Sequence, residues 1–263
     1  MPTRLAGALG IVFLVARLTA AAGPSLVALD ESGVFLVFDA EHPDAARQVT
    51  PEVRARLIGI DVRPADARLY GISVTNDLYR IDPASGAAEL VATLTVPFDG
   101  DVRSGVDFNP QADRLRLVST GGQNLRVNVA LGAVAVDRPL AYAAGDRYAG
   151  RRPRITAAAY SNDVKDAPTT KLFEIDADTD ALVLQDPPND GVLVTIGPLG
   201  IDFGPLGGFD IVTEHGVDVA WAATGATLYR IDLGSGRETS MGTIGDGRPR
   251  IVSLAAIPSP SVP

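Results

Sequence analysis

Leu78-Tyr79-Arg80-Ile81-Asp82, followed by the turn Pro83-Ala84-Ser85-Gly86, returns almost unchanged as Leu228-Tyr229-Arg230-Ile231-Asp232 with Leu233-Gly234-Ser235-Gly236. Weaker copies are LFEID at Leu172–Asp176, LRVN at Leu125–Asn128 and FLVFD at Phe35–Asp39. Leu, Ile, Val, Tyr and Phe suit a pleated, half-buried surface. An Asp or Asn before a turn that ends in Gly bonds its own backbone two or three residues on. Each copy therefore reads as one strand closed by one tight turn, and five copies predict five repeats.

The surroundings of each copy define the repeat. Leu57–Val62, Arg68–Ser73, Asp77–Asp82 and Ala88–Thr93 are four short strands joined by tight turns, which is one antiparallel propeller blade. Gly105–Asn109, Arg114–Ser119, Leu125–Asn128 and Ala133–Val136 repeat that order, as do Phe209–Val212, Val217–Ala223, Leu228–Asp232 and Thr239–Ile244. Between them lie Ile155–Tyr160, Leu172–Asp176 and Leu182–Leu184, a unit with no clean second strand, so the layout over residues 137–200 stays open.

The motif is taken as the third strand of every blade, with its Asp or Asn at 39, 82, 128, 176 and 232. The first unit, Leu26–Asp30 and Val34–Asp39 with a short outer strand near Val49, is one strand short, and Ile251–Ile257 is left over. Pairing the two gives an all-β, five-bladed β-propeller closed by the C-terminal strand, which becomes the innermost strand of the first blade.

Composition narrows the function. Gly (27) and Pro (19) are frequent enough among 263 residues to supply the turns of many short strands. The net charge of −9 argues against nucleic-acid binding, which needs a basic face to displace counterions. There is no Cys and the only histidines are His42 and His215, so disulfides, thiolate chemistry and a His/Cys zinc site are excluded or improbable. No G-x-S-x-G, P-loop or G-x-G-x-x-G motif is present. Residues 1–22 read as an export signal: Arg4, the uncharged run Leu5–Ala16, then Ala20-Ala21-Ala22. That run is too short to span a bilayer, so no stable membrane insertion is expected. Residues 23–258 read as a single propeller domain and 259–263 as a disordered Pro/Ser tail. The expected product is a secreted or periplasmic monomer.

Two groups of polar residues are candidates for a site. Gly-apolar-Asp recurs at Gly59-Ile60-Asp61, Gly105-Val106-Asp107, Gly200-Ile201-Asp202 and Gly208-Phe209-Asp210. Asp61, Asp107 and Asp210 lie on first strands, which line a propeller's channel, so these carboxylates are expected to converge. Converging carboxylates repel unless they bind a cation or share protons. The functional readings are a calcium site or a glycosidase-like acid pair. The structural one is that each Asp caps a neighbouring backbone or pairs with an Arg between blades. The second group is Asn109, Arg116, Asn124 and Arg126 in the third unit, where two arginines sit in otherwise apolar strands. A guanidinium facing the channel grips a carboxylate, sulfate or sugar; one facing a neighbouring blade joins a salt-bridge network.

GVDFNPQADRLRLVSTGGQNLRVN (Gly105–Asn128), PRITAAAYSN (Pro153–Asn162), PPNDG (Pro187–Gly191) and IGPLGID (Ile196–Asp202) resemble the bacterial family catalogued as domain of unknown function 4394. The resemblance runs from about Leu57 to Ile257 and implies export and a propeller-like fold. It implies no activity and transfers no catalytic residue.

The sequence thus predicts an exported, non-catalytic binding or scaffold propeller that recognises a small polar ligand, a glycan or a protein partner. The alternative is a carbohydrate-active hydrolase or lyase using the channel carboxylates. No cofactor is expected, with calcium the one candidate ion.

Overall fold

The computed structural model describes residues 23–258. The export signal and the Pro/Ser tail read from the sequence lie outside the described residues. Among the described residues, twenty-one strands form five small sheets, arranged as the blades of a propeller.

Blade 1 contains β1 (Ser25–Asp30), β2 (Phe35–Asp39) and β3 (Arg47–Val49). Blade 2 is β4 (Leu57–Arg63), β5 (Arg68–Ser73), β6 (Asp77–Ile81) and β7 (Ala88–Thr93). Blade 3 is β8 (Ser104–Asn109), β9 (Arg114–Ser119), β10 (Asn124–Asn128) and β11 (Ala133–Val136). A short strand, β12 (Ala141–Tyr142), precedes blade 4, which is β13 (Ile155–Tyr160), β14 (Leu172–Asp176), β15 (Ala181–Gln185) and β16 (Val192–Pro198); β12 pairs in parallel with β16. Blade 5 is β17 (Gly207–Glu214), β18 (Val217–Thr224), β19 (Thr227–Ile231) and β20 (Glu238–Thr243). The last strand, β21 (Ile251–Ile257), pairs with β1 and completes blade 1 from the inside. The predicted closure is therefore the observed one.

The inner strands touch in a ring, β21 to β4, β8, β13, β17 and back to β21. The core is divided in the same way. Five hydrophobic clusters are found among the described residues, each filling the seam between two adjacent blades. Trp221 of blade 5 packs with Leu36 and Leu254 of blade 1, and Tyr70 of blade 2 meets Phe108 of blade 3 edge to face with ring centres 5.4 Å apart.

One motif copy is misplaced by the sequence reading. LFEID is β14, the second strand of blade 4, because it pairs with the inner strand β13. The third strand is β15, which runs into Asp186. LFEID resembles LYRID in composition, but residues 161–171 form a long loop where blades 2, 3 and 5 have tight turns, and this displaces the count by one strand. The turn equivalent to Asp82–Gly86 is Asp186–Gly191.

That turn explains the motif's glycine. Gly86 has φ +84°, and a Cβ on it would run into the Thr50 carbonyl at the end of blade 1. Gly236, at φ +81°, lies in the same way against the Gly197 carbonyl of blade 4. The close approach permits backbone bonds across the seam: Glu52 N–H donates to Gly86 O at 2.8 Å, Thr95 N–H to Gly132 O at 2.9 Å and Ala141 N–H to Gly191 O at 2.9 Å. Each turn thus docks on the preceding blade. Gly86→Ala is expected to lower unfolding free energy by about 1–3 kcal/mol, through left-handed strain and loss of this contact. Gly33→Ala, at φ +89° but with open space around it, is expected to cost less. Urea midpoints of the two variants measure the difference.

Candidate functional site

A propeller's inner strands pair on one side only, so their other edge presents backbone N–H groups to the axis. At one level of the ring these are the amides of Val62, Phe108, Tyr160, Ile211 and Ala256. Asp61, Asp107 and Asp210 are 3–4% exposed and serve all five. Asp61 accepts from Val62 N–H through Oδ1 and from Phe108 N–H of the next blade through Oδ2, both at 2.6 Å. Asp107 Oδ1 accepts from Tyr160 N–H at 3.0 Å. Asp210 accepts from Ile211 N–H at 2.6 Å and from Ala256 N–H at 2.5 Å. Only Asp107 Oδ2 has no backbone donor among these bonds. Blades 1 and 4 have Ala255 and Ala159 at the aspartate position, so in the blades that follow them the amides of Val62 and Ile211 are served by Asp61 and Asp210 of their own strands.

The three carboxylates do converge, with one oxygen of each within 4.8 Å of the other two. They are the residues that would hold a cation, since calcium–oxygen distances of about 2.3–2.6 Å span such a spread. Without one, they are short of positive charge. Burial pushes Asp61 and Asp107 well above the ordinary aspartate range, and the neighbouring carboxylates add to the effect. Burial also raises Asp210, to about 6, against the pull of the Ala256 and Ile211 amides and of Asp107. Asp163, in the loop after β13, is raised to about 8 by burial and by Asp210 and Asp218. Burial and mutual repulsion thus favour the protonated forms in the cluster, and Asp107 Oδ2 is the oxygen that no backbone amide holds.

The arginine group faces a seam. Arg116 is 1% exposed and lies in the seam between blades 3 and 4. Its Nη1 donates to Asn124 Oδ1 at 2.6 Å and to Asp137 Oδ2 at 2.7 Å, its Nη2 to Asn189 Oδ1 at 2.9 Å and its Nε to the Tyr160 hydroxyl at 3.1 Å. Arg126 clamps the same Asp137 through Nε at 2.7 Å and Nη2 at 2.9 Å. Burial opposes ionisation of Asp137, but Arg126 and Arg116 outweigh it and hold the carboxyl below its usual range. Asn124 Nδ2 donates to the carbonyls of Arg138 and Pro188. Asn109 stands apart: its Oδ1 accepts from Gln111 and Ala112 N–H and closes the turn after β8.

The structure thus separates the sequence candidates into a channel trio, a seam network and a turn cap. Asp137, Tyr160, Asn189, Asp163 and Glu174 were not singled out. For Glu174 the signal was visible, since LFEID carries a carboxylate where LYRID carries Arg.

A different feature is open to solvent. A cleft of about 490 Å³ is lined by Asn162, Thr169, Thr170, Lys171, Phe173 and Asp218, with Ser161 and Leu233. Its wall is the loop 161–171. Ser161 N–H donates to Lys171 O and Lys171 N–H to Ser161 Oγ, both at 2.9 Å, which ties the loop's two ends together. Asn162 N–H donates to Asp218 Oδ1 at 3.0 Å and fixes the loop to blade 5.

Two outcomes follow from this geometry. Asp210 and Asp163 have folded-state pKa values above their unfolded ones, so their stabilisation is complete below about pH 4 and is lost progressively from there, through about 6 for Asp210 and about 8 for Asp163. The melting temperature should fall over that interval by about 2–4 °C per kcal/mol lost. Asp107→Asn, which mimics the protonated acid, should flatten the slope. A midpoint at pH 8 that responds to calcium or chelator would place a cation there instead of protons. Separately, Arg116→Leu should cost about 3–5 kcal/mol in denaturant titrations, because buried Asp137 loses one of its two arginine partners and the Asn124 and Asn189 amide oxygens lose their donor.

No curated protein matches the chain. Among solved structures, a structural genomics protein of unknown function from Bacteroides thetaiotaomicron is 16% identical, with TM-score 0.48 over 82% of this chain and 56% of its own. An auxiliary nutrient binding protein from Bacteroides ovatus is 11% identical, with TM-score 0.45 over 74% of this chain and 55% of its own. A protein of unknown function from Bacteroides caccae is 9% identical, with TM-score 0.44 over 83% of this chain and 72% of its own. The chain spans little more than half the length of the first two. A family model matches residues 34–255, beginning inside blade 1 and ending in the closing strand, and the chain belongs to the family described as Domain of unknown function (DUF4394).

Proposed function

We propose that the protein is an exported, monomeric, non-catalytic binding propeller that takes a small hydroxylated ligand, such as a saccharide, in the cleft between blades 4 and 5. The observation that carries this reading is the loop 161–171. It is the long connection between first and second strands, where blades 2, 3 and 5 use tight turns, and it builds an open concavity of the size small ligands occupy. Both lysines of the chain, Lys165 and Lys171, lie in it. Hydroxyl, amide, ammonium and carboxylate groups with Phe173 and Leu233 beside them suit a ligand that is polar at its edges and apolar on one face.

The sequence candidates support binding over hydrolysis. A glycosidase needs two carboxyl groups at least about 5 Å apart flanking a bond in an accessible pocket. Asp61, Asp107 and Asp210 are buried and tied to backbone amides. Arg116 and Arg126 are occupied by Asp137. None of the five is available to a sugar in the cleft.

The test is a thermal-shift screen of neutral, acidic and amino sugars, followed by calorimetry on any hit. Binding at micromolar to millimolar affinity is expected, weakened at least tenfold in Lys171→Met. Absence of any stabilising sugar, or binding indifferent to Lys171→Met, would sink the assignment of the cleft. Release of reducing ends from a bound oligosaccharide would restore the hydrolase alternative.

A further inference from the structure

The seam between blades 3 and 4 differs from the others. At the level of the channel aspartates, the second strands of blades 2, 4 and 5 carry Tyr70, Phe173 and Trp221, whereas blade 3 carries Arg116. Facing it across the seam is Glu174 of β14. Side chains alternate along a strand, and Phe173 and Ile175 pack into the core between blades 4 and 5, while Leu172 packs into that between blades 3 and 4. Glu174 shares the Leu172 face and so points into the polar seam.

Glu174 is 0% exposed, and neither Oε1 nor Oε2 has a hydrogen-bond partner among the described residues. Gln185 lies on the same face, paired opposite Leu172 and diagonal to Glu174, within reach for two long side chains. Its Nε2 donates to the Pro188 carbonyl, but its Oε1 is also without a donor among the described residues. A carboxylate and an amide oxygen, both acceptors and both buried, cannot satisfy each other. One proton on the carboxyl group turns an acceptor into a donor and resolves both.

We propose that Glu174 holds a proton in the folded protein and donates it to Gln185 Oε1, making a neutral lock in the blade 3–blade 4 seam that opens when the proton leaves to solvent.

The surrounding charges favour the neutral form. Arg116 on β9 and Arg126 on β10 both bind Asp137, so the nearest cations are already paired. Asp176, two residues along β14, accepts the Tyr142 hydroxyl of β12 at 2.5 Å. The Tyr160 hydroxyl of β13 accepts from Arg116. Asn124, Asn189 and Gln185 carry no charge. Burial pushes Glu174 up to about 8, Arg116 pulls against it and Asp176 adds to it. The lock is therefore closed in neutral and acidic surroundings. As pH rises through about 8, both Glu174 oxygens become acceptors facing Gln185 Oε1, and the seam loses its bond.

The protein has seven glutamates, so side-chain carboxyl ¹³C labelling of Glu gives a resolvable titration. One of the seven carboxyls is expected to titrate near pH 8, and that signal should be absent in Glu174→Gln. Hydrogen exchange, corrected for the intrinsic rate, should show protection in β9, β14 and β15 falling at least tenfold from pH 6 to pH 9 in the natural protein. In Glu174→Gln the same strands should lose that excess fall and follow only the pH dependence that the other blades share. All seven carboxyls titrating in the ordinary range would overturn the proposal, and so would a seam whose protection ignores pH. Should Glu174→Gln fail to fold, the titration and exchange of the natural protein decide the matter.

Discussion

Five inner strands with one free edge each set the central constraint on this molecule. Closing the ring removes the ends of the sheet array but leaves backbone amides facing the axis, and a buried N–H without an acceptor is costly. Three carboxylates meet five of these amides with five of their six oxygens. Neighbouring blades are thereby linked through side chain and backbone, Asp61 to blade 3, Asp107 to blade 4 and Asp210 to blade 1. The arrangement brings three acids together in a space that water reaches poorly, and their ionisation is suppressed as a consequence. Asp210 at about 6 and Asp163 at about 8 follow from the same crowding.

The periphery obeys a second rule. In blades 2 to 5 the turn after the third strand reaches the end of the preceding blade, and a glycine at positive φ lets two backbones meet. Inner carboxylates and outer turns hold the ring at two radii, and apolar clusters fill the seams between. The blade 3–blade 4 seam departs from this plan. Arg116 takes the place of an aromatic, and a polar network around Asp137 replaces part of the apolar packing. Such a seam is stable only while every member is partnered, which makes Glu174 and Gln185 its sensitive point.

The repeat was legible because LYRID and its turn are local: alternation sets a strand, and Asp to Gly sets a tight turn. The leftover Ile251–Ile257 and the short first blade together specified ring closure. LFEID was misread for the same local reason. A five-residue pattern does not say which strand of a blade it forms; pairing with β13 does, and the long loop before it shifts the count. The true counterpart, Asp186 to Gly191, was hidden because its prolines and asparagine do not resemble the serine-containing turns elsewhere.

Sequence by itself determined that this chain is a five-bladed all-β ring closed by its last strand, and that Asp61, Asp107 and Asp210 stand at equivalent first-strand positions. Tertiary structure alone decided what those residues do. Whether a carboxylate is a ligand site or a backbone tie depends on which amides lie within bonding distance, and those belong to the next blade, dozens of residues away. Whether Arg116 faces the channel or a seam depends on the face its strand turns inward. Burial, which moves Glu174 and the channel acids toward their neutral forms, is a property of the assembled ring, because no single blade excludes water from them.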